Sequence, residues 1–399
     1  MVTAAEEPDV TIVGGGLAGL STGIALANAG ISTVILESRR KSAADVFGFL
    51  LWPPGTRSLG WLGVLDDALK AGAELESLTW FVAGRKKDDQ TWLSVNLPDL
   101  GVGPFLGILP SALEGILRDA ALRSGVRILD AVEEWAVRRD QGGWTVRATR
   151  AGEPEEIRTR LLVGADGANS RLRDEVGLKS SRWQPAGQVI VTGVGGAVPL
   201  RESRQALSAT GSGGCVSLGE DHSWLYTVAH ESEATDPQRT LRHYATLDPK
   251  PAAAFEHVER VAVLRPWTIT VPEWAADGAV LMGDAAHGML PHFGLGGSMT
   301  LEDVPILVEV VRDALGAKDT SAARLGAFQH RRRARVAYAQ RTSNQWARLL
   351  SSRLPGIQAA RNVSVRRLSR NMELVETFYR ELASPSVPEL STRLRMLLL

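Results

Sequence analysis

The sequence predicts an α/β protein: a parallel-sheet nucleotide-binding domain interrupted by an antiparallel sheet, with a helical C-terminus. Three observations predict it. Asp9–Glu37 is an apolar run, a glycine cluster, a helical run and a second apolar run closed by an acid. Two further apolar strands, Leu161–Val163 and Gly278–Met282, each run into a glycine and an acid. The remainder alternates apolar and polar residues from about Ser180 to Pro272, then takes helical spacing from Ser298 onward.

In the first stretch Val10, Ile12 and Val13 make a short β-branched strand bounded by Gly14. Leu17, Leu20, Ile24 and Ala27 then recur at helical spacing up to Gly30, a C-cap, and Thr33–Leu36 is the second strand. Gly14-x-Gly16-x-x-Gly19 therefore stands where a phosphate-binding turn needs it. Gly14 permits the tight turn, Gly16 admits a pyrophosphate to the backbone, and Gly19 lets helix pack closely on strand. The helix N-terminus offers free N–H groups to the phosphates. Glu37, 18 residues after Gly19, ends the second strand, where a carboxylate accepts ribose hydroxyls. Together these make a dinucleotide-binding βαβ unit.

The chain has 399 residues, enough for two closely packed domains. Hydrophobic residues make up 44% and charged ones 23%, the balance of a soluble globular protein. Basic and acidic residues number 45 each, so no electrostatic footprint for nucleic acid is present. The single Cys215 leaves no intramolecular disulfide and no Cys-based zinc or iron–sulfur site, and no metal is expected. The start, MVTAAEEPD, is acidic without an apolar core, and no apolar run approaches the ~20 residues that span a bilayer. A cytoplasmic protein with neither nucleic-acid nor membrane partner is expected.

Gly48–Gly72 reads as a short strand, a Pro-Pro turn and an amphipathic helix. Glu74–Asn96 reads as two antiparallel strands around the charged turn Arg85–Asp89. Pro110 and Ser111 start a helix, and strands follow at Val126–Leu129, Ala131–Arg138 and Trp144–Thr149. VIVTG, CVSLG, SWLYTVAH and VAVLRPWTITV look like strands of one antiparallel sheet, with a helix near Leu241–Asp248. Glu302–Leu315, Ser321–Leu350 and Val363–Leu382 are helical. The expected division is 1–75 plus 105–178 plus 276–345 for a discontinuous nucleotide domain, 76–104 plus 179–275 for a substrate-binding sheet domain, and 346–399 for a C-terminal helical segment.

Gly164-Ala-Asp166-Gly167-Ala-Asn-Ser170-Arg171-Leu-Arg173 and Gly278-Ala-Val-Leu-Met-Gly283-Asp284-Ala285-Ala286-His287 carry the second and third motifs. In an open parallel sheet their strand ends face the same crevice as the first glycine turn. An acid placed there accepts hydrogen bonds from sugar or ribityl hydroxyls. Gly48–Gly55, with Leu59, Leu62 and Gly63, and Pro291-His-Phe-Gly294-Leu-Gly296-Gly297, with Glu302-Asp303, complete the set. From about Asp9 to Arg341 the chain resembles the flavoprotein aromatic hydroxylases, the para-hydroxybenzoate hydroxylase-like class of FAD-dependent monooxygenases.

The resemblance implies a Rossmann-type FAD-binding domain interrupted by an antiparallel-sheet substrate domain. It implies an oxidoreductase in which NAD(P)H reduces FAD, O2 adds at flavin C4a, and the hydroperoxide hydroxylates or epoxidises an aromatic or unsaturated small molecule. Carried over by position, the turn Gly14, Gly15, Gly16, Leu17, Ala18 and Gly19 would hold the pyrophosphate. Glu37, with Ser38, would hold the adenosine ribose; Arg39 and the Val132 backbone would meet adenine. Asp166 and Gly167 would serve FAD and NAD(P)H, and Gly283 and Asp284 the ribityl and pyrophosphate region. Pro291 and the loop Gly294, Leu295, Gly296 and Gly297 would face the flavin ring, opening a helix whose dipole favours anionic reduced flavin.

Departures from the family pattern concern electron supply. Two arginines common in the family are missing at Ala43-Ala44-Asp45-Val46 and Leu109-Pro110-Ser111; Arg118 or Arg171 would compensate, or FAD is held more loosely. Leu295 replaces a glutamine and removes an amide from beside the flavin. The fold is equally that of an oxidative cyclase, oxidase or dehydrogenase, and a flavin-binding protein without turnover is the third reading.

His292, beside Pro291, is a candidate for touching substrate or the transferred oxygen; otherwise it packs its loop. His222, Tyr226 and His230 fall on one face of a strand at spacings of four. If that face lines a pocket, Tyr226 or His222 is a substrate-activating base; if it meets solvent, they are surface residues. His287 is expected to hydrogen-bond structure and Cys215 to be a small buried residue. There are 11 Trp against 4 Tyr and 8 Phe, and Trp52, Trp80, Trp92, Trp183, Trp224, Trp267 and Trp274 fall on the substrate side. Aromatic walls suit a flat, largely apolar substrate such as an indole, quinolone or polycyclic phenol, although core packing accounts for most of them. Arg331–Arg335 reads as a solvated helix face, and Leu390–Leu399 as a cover for a homodimer partner or for the helical segment.

Overall fold

The strands that carry the three motifs lie side by side. Across the sheet the order is Ala275–Ala276, Ala279–Leu281, Leu161–Gly164, Val10–Val13, Thr33–Leu36 and Arg127–Leu129, and only Ala275–Ala276 runs antiparallel. The Val10–Val13, Thr33–Leu36 and Leu161–Gly164 strands are buried at every position, as strands covered on both faces must be. Val13 stands opposite both Gly164 and Leu36, and Gly164 opposite Leu281, so the chain leaves all four strands along one edge. These coordinates come from a computed structural model that describes residues 7–39, 45–82, 91–198, 200–208, 211–248, 250–258, 260–352, 354–384 and 386. The turn Arg85–Asp89, residues Ala43 and Ala44, and the tail Leu390–Leu399 lie outside them.

Two glycines make the first turn possible. Gly14 has φ +107°, and a Cβ there would lie 2.3 Å from the Ala165 carbonyl oxygen. A Cβ on Gly19 would lie 1.8 Å from the Gly14 carbonyl oxygen, so the helix Leu17–Asn28 rests directly on the turn.

A seven-stranded sheet forms the other layer, in the order Val261–Leu264, Gln188–Gly196, His222–His230, Ser212–Ser217, Glu202–Leu207, Ser77–Val82 and Thr91–Asn96. It is not wholly antiparallel as expected: Ser77–Val82 pairs parallel with Glu202–Leu207. Strands so distant in sequence are free of the tight turn that enforces antiparallel pairing. The run VAVLRPWTITV is also two strands. Pro266, with no N–H, interrupts it, and Thr268–Thr270 pairs with Ser181–Trp183 instead.

Four further corrections are local. Pro53 and Pro54 do not form a turn; they open the helix Pro53–Trp61, where their missing N–H groups cost nothing. Glu153–Thr159, whose charges hide a period of two, adds a third strand beside Gly143–Arg150. The helical region is cut at Gly326 and again at Asn371, which caps Met372–Leu382 by accepting from the Leu374 N–H. Arg331–Arg335 is a solvated face only in part: Arg331 and Arg333 are exposed, but the other two arginines turn inward. Arg332 and Arg335 are each 3% exposed and meet Glu302 and Asp303 of the helix Leu295–Gly316. Among the described residues no helix is long and apolar enough to cross a membrane.

Candidate active site

A cavity of about 420 Å³ separates the motif edge of the parallel sheet from one face of the seven-stranded sheet. Gly16, Leu17, Ala18, Gly167, Asp284, Pro291, Gly294, Gly296 and Gly297 line one side, all of them expected from the sequence. Tyr226 and His292 come from the other expected set, and Gln205 and Trp224 join them there. A narrower slot opens behind His292 between Trp52, Trp80, Phe293 and Tyr379.

Glu37, Ser38, Arg39 and Val132 cluster at the glycine turn outside the cavity wall. The Gly15 N–H donates to Glu37 Oε2 at 2.9 Å, and the Arg39 N–H donates to Glu37 Oε1 at 2.7 Å. The Ser38 hydroxyl reaches Glu37 Oε1 at 3.4 Å, and the Val132 N–H donates to the Glu37 carbonyl at 3.0 Å. Burial works to raise the Glu37 carboxyl, but the hydrogen bonds from Arg39 outweigh it and hold it below its ordinary range. Arg39 also pairs with Glu114, which no sequence pattern marked, so a carboxylate–guanidinium–carboxylate row lies over the bare Gly16 backbone.

Behind the cavity, buried charges fix the second and third motif loops. Asp166 Oδ2 accepts from the Leu172 N–H at 3.0 Å, while its Oδ1 is buried with no partner among the described residues. Arg173, 2% exposed, donates to the Ala285 and Ala168 carbonyls and so ties the two loops together. Asp303 Oδ2 accepts from the Gly283 N–H at 3.0 Å and from His287 Nε2 at 2.7 Å, and Oδ1 accepts from Arg332 Nε at 2.8 Å. Gly283 therefore positions the loop from behind, and His287 bonds structure as expected. Asp284 lines the cavity and is exposed there, while the protein packed around it raises its carboxyl by desolvation, with His287 opposing the effect and Asp303 adding to it.

His292 faces both spaces, and neither ring nitrogen has a partner among the described residues. Burial lowers its pKa to about 4, so the ring is neutral near pH 7. Tyr226 lines the cavity 4.9 Å from the Trp224 ring, and burial raises its phenol, with the Cys215 thiol adding to the effect. His222, grouped with them by spacing, is exposed and absent from both walls, because it is the first residue of its strand, beside the exposed turn at Glu220 and Asp221. His230 caps the turn Glu231–Glu233 instead. Cys215 is buried, and burial pushes its thiol up to about 12.

Leu295, expected in the loop that faces the flavin, does not line the cavity with its side chain. Its side chain, 1% exposed, packs among Trp52, Phe293 and Trp346, so the loss of the usual amide serves the core rather than the cavity. The compensating arginines are also engaged elsewhere: Arg118 pairs with Asp130, and Arg171 pairs with Glu175 over the Trp135 ring. Asp45 accepts from the Ser111 N–H at 3.1 Å and from its hydroxyl, tying one arginine-less segment to the other. Of the tryptophans, Trp52, Trp80 and Trp224 reach the two spaces; Trp274 packs on His287, Trp183 lies under Arg348, and Trp267 is 36% exposed.

The glycine turn, the acid Asp284 and the bare-backbone loop on one cavity mark the site of a dinucleotide-cofactor oxidoreductase. A family model described as an FAD binding domain matches residues 7–343, and the chain belongs to that family. It is 26% identical over 349 residues to the FAD-dependent urate hydroxylase of Mycolicibacterium vanbaalenii, covering 82% of this chain and 85% of that one. The fold is that of P. aeruginosa PqsL in complex with 2-aminobenzoylacetate (TM-score 0.77, 22% identity, 89% and 100% covered). It is also that of p-nitrophenol 4-monooxygenase PnpA from Pseudomonas putida (TM-score 0.82, 19% identity, 96% and 100% covered). The chain is an FAD-dependent monooxygenase of the aromatic hydroxylase class.

The residues present fit FAD. A Cβ on Gly16 would meet nothing nearer than 3.7 Å, leaving its backbone open. Asp166 has a buried oxygen without a partner beside the turn, and Gly296 presents bare backbone to the cavity from the first turn of a helix.

Proposed function

We propose that this monooxygenase takes electrons from NADH or NADPH and transfers one atom of O2 to an aromatic or unsaturated small molecule held on the sheet side of the cavity. The observation that carries this reading is one cavity lined both by the helix start Gly294–Gly297 and by Tyr226 and Trp224 of the sheet, with His292 on the loop that leads into that helix. FAD, when bound, supplies the redox chemistry: it takes hydride from the nicotinamide and activates oxygen.

The chain's own residues bind, orient and exclude water. Gly14–Gly19 and Glu37 hold the dinucleotide end, with Ser38, Arg39 and Val132 beside it. Asp166, Gly167, Gly283, Asp284 and Pro291 hold the middle, and the N–H groups of Gly296 and Gly297 stabilise negative charge on the ring. Tyr226, kept as a phenol by burial, donates a hydrogen bond rather than acting as a base. Neutral His292 has a donor and an acceptor for the substrate or the transferred oxygen. Trp224, Phe49 and Leu50 close the wall against water.

This reading assigns residues 1–75, 105–178 and 276–345 to FAD and residues 76–104 and 179–275 to substrate, because the motif loops all come from the first group. It places the protein in the cytoplasm, where NAD(P)H is supplied. Leu354 and Ile357, exposed one turn apart, support a homodimer, which sedimentation velocity reads directly. The central test is anaerobic mixing of the FAD-loaded protein with NADH or NADPH, then with ¹⁸O2 and an aromatic panel. Bleaching of the oxidised flavin followed by one ¹⁸O in product is the expected result. Reduction without incorporation would replace the reading by an oxidase.

A further inference from the structure

The slot behind His292 is walled by aromatic rings and floored by Ser203 and Gln205. Its back wall comes from the helix Met372–Leu382, beyond residue 343, where the family match ends. Tyr379 of that helix stacks on Trp52 at 5.6 Å with the rings 8° apart. A phenol both donates and accepts, and burial keeps the Tyr379 hydroxyl protonated, so it has a proton to give. Three main-chain anchors fix the helix: Arg57 donates to the Ala383 carbonyl, Arg335 to the Leu382 carbonyl, and Arg380 to the Leu100 carbonyl.

Gln205 lines both the cavity and the slot. It is 7% exposed, and its amide has no hydrogen-bond partner among the described residues. An amide that opens to the cavity without a protein partner is free to pair with a ligand of matching donor and acceptor. Among the described residues no lysine or arginine lines either space, and the one charged lining residue, Asp284, lies on the cofactor side. A carboxylated substrate would therefore leave its charge uncompensated.

We propose that Gln205 and Tyr379 are specificity-determining residues that select an uncharged, planar aromatic substrate bearing a donor and an acceptor on adjacent atoms of one edge, as a lactam does. The ring lies in the larger cavity, the Gln205 carboxamide pairs with that edge through two parallel hydrogen bonds, and Tyr379 donates to the acceptor from the slot, whose volume of about 40 Å³ admits the edge atoms and not the ring. The proposal rests on the assignment of the sheet side of the cavity to substrate. It places the choice of substrate partly in a C-terminal helix outside the family match.

The test is binding of three bicyclic probes to the FAD-loaded protein without reductant, read from perturbation of the flavin absorption. The probes are 2-quinolinone, 2-naphthoate and naphthalene. Wild type is expected to bind 2-quinolinone at least tenfold more tightly than 2-naphthoate. Gln205→Leu and the near-isosteric Gln205→Glu should each lose about tenfold for 2-quinolinone. Naphthalene binding should be unchanged in Gln205→Leu, a control that excludes misfolding. Tyr379→Phe should weaken 2-quinolinone and leave naphthalene alone. Tighter binding of 2-naphthoate, or indifference of 2-quinolinone to both Gln205 changes, overturns the proposal. Because no turnover is measured, a protein that binds as expected but fails to incorporate oxygen would refute the monooxygenation reading and leave this one standing.

Discussion

Glu37 shows how one carboxylate prepares a binding site before its ligand arrives. It is buried, yet two main-chain N–H groups and the Arg39 guanidinium keep it ionised and fixed in place. Glu37→Ala leaves the Gly15 N–H and Arg39 without their acceptor. Its FAD affinity should fall at least tenfold, about 1.4 kcal/mol, in a fluorescence titration of apoprotein. His292 gives a pH signature. Its folded pKa is about 4, whereas an unfolded histidine titrates near ~6.5. Between these values the unfolded chain binds a proton that the folded protein refuses, so the stability contributed by the neutral ring is full above pH ~6.5 and is lost as pH falls toward 4. Thermal melts of His292→Gln should therefore show a shallower fall in Tm across that window than wild type. Glu37 was legible in the sequence because motif spacing marks the end of a second strand. Gln205 was not, since a polar residue within a strand gives no sign of which sheet face, or which cavity, it meets.

At the scale of elements, the loop after Ala279–Leu281 is held by two helices. Asp303 on one accepts from the Gly283 N–H and from His287, and Arg332 on the other donates to Asp303 and holds it there. Burial works to raise the Asp303 carboxyl, while His287 and Arg332 outweigh it and keep it ionised. Asp303→Ala would leave the buried Arg332 guanidinium with Glu302 as its one charged partner, beside the Met299 carbonyl, and should cost about 3 kcal/mol or more in urea unfolding. FAD affinity should fall with it, because the loop loses its support. The parallel strands and the glycine turn could be read from sequence, since full burial and strand-to-helix switching leave plain patterns. The Arg331–Arg335 face could not. Helical periodicity locates a face, but only the neighbouring helix, with its buried acids, decides that Arg332 and Arg335 point inward.

For the molecule as a whole, the cofactor cavity lies between layers contributed by alternating stretches of one chain, so FAD bridges parts that fold together. Loading should raise stability by about 2.7 kcal/mol at a hundredfold excess over Kd, read as a Tm increase that depends on FAD concentration. Removing FAD should lower Tm without splitting the transition if the layers unfold as one unit. The layered architecture was legible from the order of motifs and alternation. The parallel pairing of Ser77–Val82 with Glu202–Leu207 was not, because no local pattern sets the direction of strands so far apart.

That pairing has a consequence during synthesis. The hairpin Ser77–Asn96 carries Leu78, Trp80, Phe81, Leu93 and Val95, all buried in the finished sheet. Its only other sheet neighbour, Glu202–Leu207, leaves the ribosome more than a hundred residues later, which at ordinary elongation rates is roughly ten seconds. Throughout that interval an apolar ribbon with an open edge waits in the cell, a natural client for a holding chaperone.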